Sequence, residues 1–150
     1  MAGSQFDALV QVAGAKALAA ERVLADCRTR VQHHAELVGA AQAALAAFDT
    51  AYDGRRAALS LKFWGSMQSA SSLDDLADAV RALKQERIAL EQALTERQRE
   101  WVAARGAEDE ALHALRKLEA TKMKREEMAQ TEQAAETRAR MARAEDDPTW

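Results

Sequence analysis

Proline, cysteine, glycine and aromatic residues are all scarce in this chain. Its one proline, Pro148, stands close to the end. No earlier position therefore interrupts a helix by removing a backbone N–H. The lone Cys27 has no partner for an internal disulfide, which fits a reducing cytosol. Aromatics make up 5% of the residues, too few for an ordinary compact core. The six glycines are scattered and form no phosphate-cradling loop. A net charge of −3 and a pI near 5.7 lack the basic footprint of a nucleic-acid binder. Asp7 and Lys16 interrupt the apolar stretches near the start, so nothing there reads as a signal peptide. No apolar run approaches the roughly 18 residues that cross a bilayer.

What remains is alanine, leucine, glutamate, arginine and glutamine, a composition for long helices with a narrow apolar seam. The first half carries sustained heptads. Position a holds Val10, Ala17, Leu24, Val31, Val38, Leu45, Tyr52 and Leu59. Position d holds Phe6, Ala13, Ala20, Cys27, His34, Ala41, Phe48 and Arg55. A repeat near 3.5 residues per turn keeps this stripe against a partner helix. Ser4 with Asp7 three residues on reads as a capping box and predicts a helix start near Gln5.

The pattern breaks between Tyr52 and Ser72, where Gly54, Gly65 and the run Ser69, Ala70, Ser71, Ser72 cluster. Ser72 and Asp75 then read as a second capping box, with Asp74, Asp75 and Asp78 suiting the positive end of a helix dipole. The second seam runs Leu73, Leu76, Val80, Leu83, Arg87, Leu90, Leu94, Arg97, Trp101, Ala104, Glu108, Ala111, Leu115, Leu118. The reading is an all-α chain in one coiled-coil unit over 1–150. Helix one spans about 5–60, a connection about 61–72, and helix two about 73–145. Together they form an antiparallel two-helix hairpin with a protruding C-terminal segment. Leu59 opposite Leu73 would set Phe6 opposite about position 126 and leave the Ala-, Glu- and Arg-rich remainder without a partner.

Catalytic and metal chemistry find little here. His33 and His34 are adjacent and point about 100° apart on a helix, so they cannot chelate one ion together. No HExxH spacing, Cys–His pair or Ser–His–Asp set stands out, and a thin coiled coil has no pocket that excludes water. The expectation is a non-enzyme without cofactors. Three features exceed what a plain coiled coil needs: Leu45, Phe48 and Tyr52 on one face; Phe63, Trp64 and Met67 at the bend; and Trp101 in helix two. Aromatic and Met residues on a thin rod serve as packing or as partner contacts.

The stretch Leu45, Ala46, Ala47, Phe48, Asp49, Thr50, Ala51, Tyr52 resembles the Leu–aromatic–Tyr spacing of the type III secretion stalk proteins, the FliJ/YscO family with its Hrp-system counterparts. Leu73, Leu76, Ala77 and Val80 are similar to the apolar run opening that family's second helix, and the plan of the whole chain matches. The chain departs at Asp53 and at Phe48, where the family often has Tyr. The resemblance implies a cytoplasmic, non-catalytic stalk beside the inner-membrane secretion apparatus. The free helix ends would enter the hexameric secretion ATPase. The bend would face the cytoplasmic ring of the export-gate membrane protein, and some members also bind secretion chaperones. It implies gate or chaperone contacts at Leu45, Phe48, Tyr52, Asp53, Leu73, Leu76 and Val80. Position and charge then assign ATPase contacts to Lys122, Lys124, Arg125, Arg138, Arg140 and Arg143. Neither nucleic acid nor membrane insertion is expected.

Other readings share the pattern. One is a generic coiled-coil scaffold. Another is a prefoldin-like chaperone subunit, which needs β-hairpins at the bend, and residues 53–72 lack paired alternating strands. A stator subunit of the same export apparatus would share the helical composition.

Overall fold

The structure, a computed structural model, describes residues 2–64 and 70–146. Helix α1 runs Ala2–Trp64 and helix α2 runs Ala70–Glu145. The two pack against each other as an all-α helical hairpin, and the described residues contain no strand.

Both helices are longer than the sequence signals suggest. The backbone is already helical at Ser4 and Ser72, so neither residue marks the helix boundary expected of it. Gly54 does not break α1 either. A glycine inside a helix costs about 1 kcal/mol relative to alanine. Phe48, Tyr52 and Leu59 around it sit in the covered seam, and their burial outweighs that cost. Gly65, Met67, Ser69 and Trp150 lie outside the described residues.

The chain divides into two compact units, Met1–Thr29 with Gly106–Trp150, and Arg30–Arg105. In unit one, Ala13, Ala17, Leu24 and Cys27 of α1 and Leu115 of α2 are buried. Cys27 thus serves as a small apolar seam residue. Arg125 donates from Nη1 to the Leu9 carbonyl at 3.4 Å. The heptad count through that contact sets Val10 opposite Arg125, Ala17 opposite Leu118 and Phe6 opposite Ala129. Since α1 begins at Ala2, α2 has no α1 residue opposite it from about position 134 onward by the same count. Every residue from Thr137 to Asp146 is exposed.

In unit two, Val38, Phe48 and Leu83 form the buried seam. Two arginine–carboxylate pairs cross between the helices here. Asp49 accepts from Arg87 Nε at 2.7 Å and Nη2 at 3.1 Å. Glu86 accepts from Arg55 Nη2 at 2.9 Å and Nη1 at 3.2 Å. The count through Asp49 and Arg87 sets Leu59 opposite Leu76, not Leu73, which is 54% exposed. The pairing is therefore about one helical turn away from the expected one. The expectation started the seam at the first leucine after the bend, whereas the covered seam starts at Leu76.

Candidate functional site

The residues singled out before the bend are mostly seam residues. Phe48 is only 6% exposed, and Leu45 and Tyr52 are half-buried. The Phe48 and Tyr52 rings lie 6.0 Å apart, and the Arg55 guanidinium caps the Phe48 ring at 5.4 Å. A partner could reach Phe48 only by separating the helices. Leu76 and Val80 are half-buried, while Asp53 and Leu73 are exposed.

The surface at this end carries two open grooves among the described residues. One, of 490 Å³, lies between Ala58, Leu59 and Lys62 of α1 and Ala79, Ala82 and Leu83 of α2, with the Arg55–Glu86 pair at its rim. The other, of 400 Å³, is bounded by Leu73, Leu76, Ala77 and Val80 with Arg81 and Lys84 beside them. The second groove joins three of the expected contact residues, Leu73, Leu76 and Val80. The first takes Leu59 and Leu83 from the two seams and adds Ala58, Lys62, Ala79 and Ala82, which periodicity did not single out. Arg55, at a d position, turns outward to meet Glu86. Leu61 and Trp64 are also open to solvent, at 77% and 73%.

A polar layer interrupts the seam farther along unit two. The heptad count places His34 opposite Trp101. His34 Nδ1 and Trp101 Nε1 are both buried without a hydrogen-bond partner. Glu100 Oε2 stands 3.8 Å from His34 Nδ1 and accepts from Arg97 at 3.2 Å. Arg105 covers the Trp101 ring at 5.0 Å. Trp101 is thus part of the seam, with its outer face under a cation.

The six basic residues assigned to the other end divide into two groups. Lys122 and Arg125 are half-buried in the seam, with Lys122 3.9 Å from Glu126 and Arg125 on the Leu9 carbonyl. Arg125 thus reaches across to α1, while Lys122 pairs within α2. Lys124, Arg138, Arg140 and Arg143 are exposed. Arg138 and Arg143 donate at 3.4 Å to Ala134 and Ala139 of their own helix.

The interhelical pairs perturb their own charges. Hydrogen bonding from Arg87 holds the Asp49 carboxyl below its ordinary range, with the Arg87 charge adding to the effect and desolvation opposing it. The same bond raises Arg87, and the Glu86 bond raises Arg55. These groups lock a pairing and are not poised for proton transfer. Among the described residues no group of His, Cys, Asp and Glu could hold a metal ion, and no helix is long and apolar enough to cross a membrane. The surface offers apolar grooves bordered by charge, which is the chemistry of protein contact. No protein-family model, curated protein or solved structure matches the chain.

Proposed function

We propose that this chain is a non-catalytic central stalk of a bacterial type III secretion apparatus, cytoplasmic and peripheral to the inner membrane. It would link the hexameric secretion ATPase to the export gate. One observation carries most of the support: α2 continues past the start of α1, with Arg138, Arg140 and Arg143 exposed on the unpaired stretch. The same stretch also carries Glu136, Glu145 and Asp146, so it has no net charge. What suits entry into a ring pore is an unpaired helix with exposed arginines set among carboxylates. The grooves beside Leu59 and Leu76 suit a gate or a secretion chaperone, which would take them as a third helix takes a coiled-coil surface.

The test is to titrate the purified chain into a type III secretion ATPase while following ATP hydrolysis and hexamer formation. Saturable stimulation that is lost on deleting residues 128–150 supports the stalk. A folded chain with no effect on an active ATPase removes that reading and leaves a coiled-coil scaffold.

A further inference from the structure

Over residues 9–23 and 114–128, unit one has two flanks of unlike charge, while past these bounds Asp26 and Glu110 fall on the first flank and Arg28 on the second. On one side, Leu9 and Val23 of α1 stand two heptads apart at a flank position, Val12 lies one turn from Leu9, and Met128 of α2 lies beside them by the register above. These four side chains are 43–53% exposed. Lys16, Lys117 and Lys124 fall on the same side, all exposed. Among the described residues these lysines have no ion pair or side-chain hydrogen bond. Between Leu9 and Val23 of α1, and between Ala114 and Met128 of α2, this flank carries no carboxylate.

The opposite side inverts the pattern. Asp7 and Glu21 of α1 and Glu119 and Glu126 of α2 occupy the corresponding flank positions, with Arg116 among them and Lys122 3.9 Å from Glu126. Leu18 and Met123 stand exposed among them, at 50% and 61%. Each flank therefore presents an apolar strip, and the charges bordering one strip are opposite in sign to those bordering the other.

We propose that unit one associates side by side with a second copy of this chain, the lysine flank of one copy against the carboxylate flank of the next. Symmetric pairing through one flank would set lysine against lysine or carboxylate against carboxylate, which the charges oppose. Opposite flanks bring Leu9, Val12 and Met128 toward Leu18 and Met123 while the charges pair at the edges. Because the two surfaces differ, the contact is heterologous and leaves one flank of each kind free at the ends. The strip on α1 is only about 21 Å long at ~1.5 Å per residue. Such a contact falls short of the roughly 800 Å² per partner of a stable interface, so association is weak and salt-sensitive. The inference stands independently of the stalk reading.

The experiment is sedimentation equilibrium of the full chain, at about 0.01 M and about 1 M salt, where the Debye length is about 30 and 3 Å. Two variants accompany it. In one, Lys16→Glu, Lys117→Glu and Lys124→Glu make both flanks acidic. In the other, Asp7→Lys, Glu21→Lys and Glu119→Lys make both basic. The wild type should associate at low salt and dissociate at high salt. Each variant alone should be monomeric with undiminished helical circular dichroism, and an equimolar mixture should associate again. A wild type that is monomeric at low salt would overturn the proposal. So would association that survives in either variant alone, or helical variants that fail to recombine.

Discussion

Asp49 and Arg87 hold each other across the hairpin through two hydrogen bonds of 2.7 and 3.1 Å, and Arg87 also bonds Glu91 on its own helix. The charge of Arg87 lies at a seam position, which the heptad count sets opposite Phe48. Its guanidinium leaves the apolar interior and reaches a carboxylate at the edge. A register slip of one turn would carry Arg87 away from Asp49 and Arg55 away from Glu86 together. These pairs therefore specify the alignment more than they add stability, since exposed ion pairs contribute little.

The pH dependence follows from Asp49. Its pKa in the folded chain lies below the ordinary carboxylate value, so the unfolded chain binds its proton first as pH falls. The stabilisation is present above the ordinary range near 3.9 and is lost as pH drops through the folded value. Thermal melts at pH 6 and pH 3 should show a larger loss for the wild type than for Asp49→Asn. Equal losses would mean that the pair makes no contribution.

Burial separates two neighbouring aromatics by consequence. Phe48→Ala removes a side chain that is 6% exposed and should cost about 3 kcal/mol in urea unfolding. Trp64→Ala, at 73% exposure, should stay within about 0.5 kcal/mol. A comparable loss at Trp64 would show that its side chain is covered in solution.

Gly39 and Gly54 lie inside α1 with negative φ, and a Cβ at either meets nothing within 4 Å. Gly39→Ala and Gly54→Ala should each stabilise by about 0.5–1 kcal/mol, as the shift in urea midpoint will report. A destabilising result would contradict uninterrupted helix at these positions.

The register itself can be trapped chemically. With Cys27→Ala as background, Val10→Cys with Arg125→Cys places the two thiols opposite each other and should oxidise within one chain. Val10→Cys with Lys122→Cys, one turn away, should oxidise more slowly by non-reducing electrophoresis. Preferred closure of the second pair would restore the pairing expected from Leu59 and Leu73.

Most of the seam was legible because heptads repeat often enough to average out errors. Of the sixteen a and d positions assigned to α1, only Arg55 is exposed. In α2 the exceptions are Leu73 and Arg97. Helix ends and pairing were harder to read. Capping signals at Ser4 and Ser72 are local and compete with propagation of an adjoining helix, and apolar leucines on either side of the bend pair equally well in several registers. The polar pairs that discriminate between registers, Asp49–Arg87 and Arg55–Glu86, look like ordinary surface charges until both helices are in place. The two grooves were half legible: Leu73, Leu76 and Val80 were identified, but the groove beside Leu59 depends on both helices together.

The stalk reading rests on which end of the chain meets the ATPase. A photo-cross-linking residue placed at Arg138 on the unpaired stretch of α2, and in a separate variant at Leu61, can be irradiated with the assembled secretion ATPase. The account predicts cross-links to the ATPase from position 138 and none from position 61. Cross-links from position 61 alone, or from neither position while the chain still stimulates hydrolysis, would contradict it.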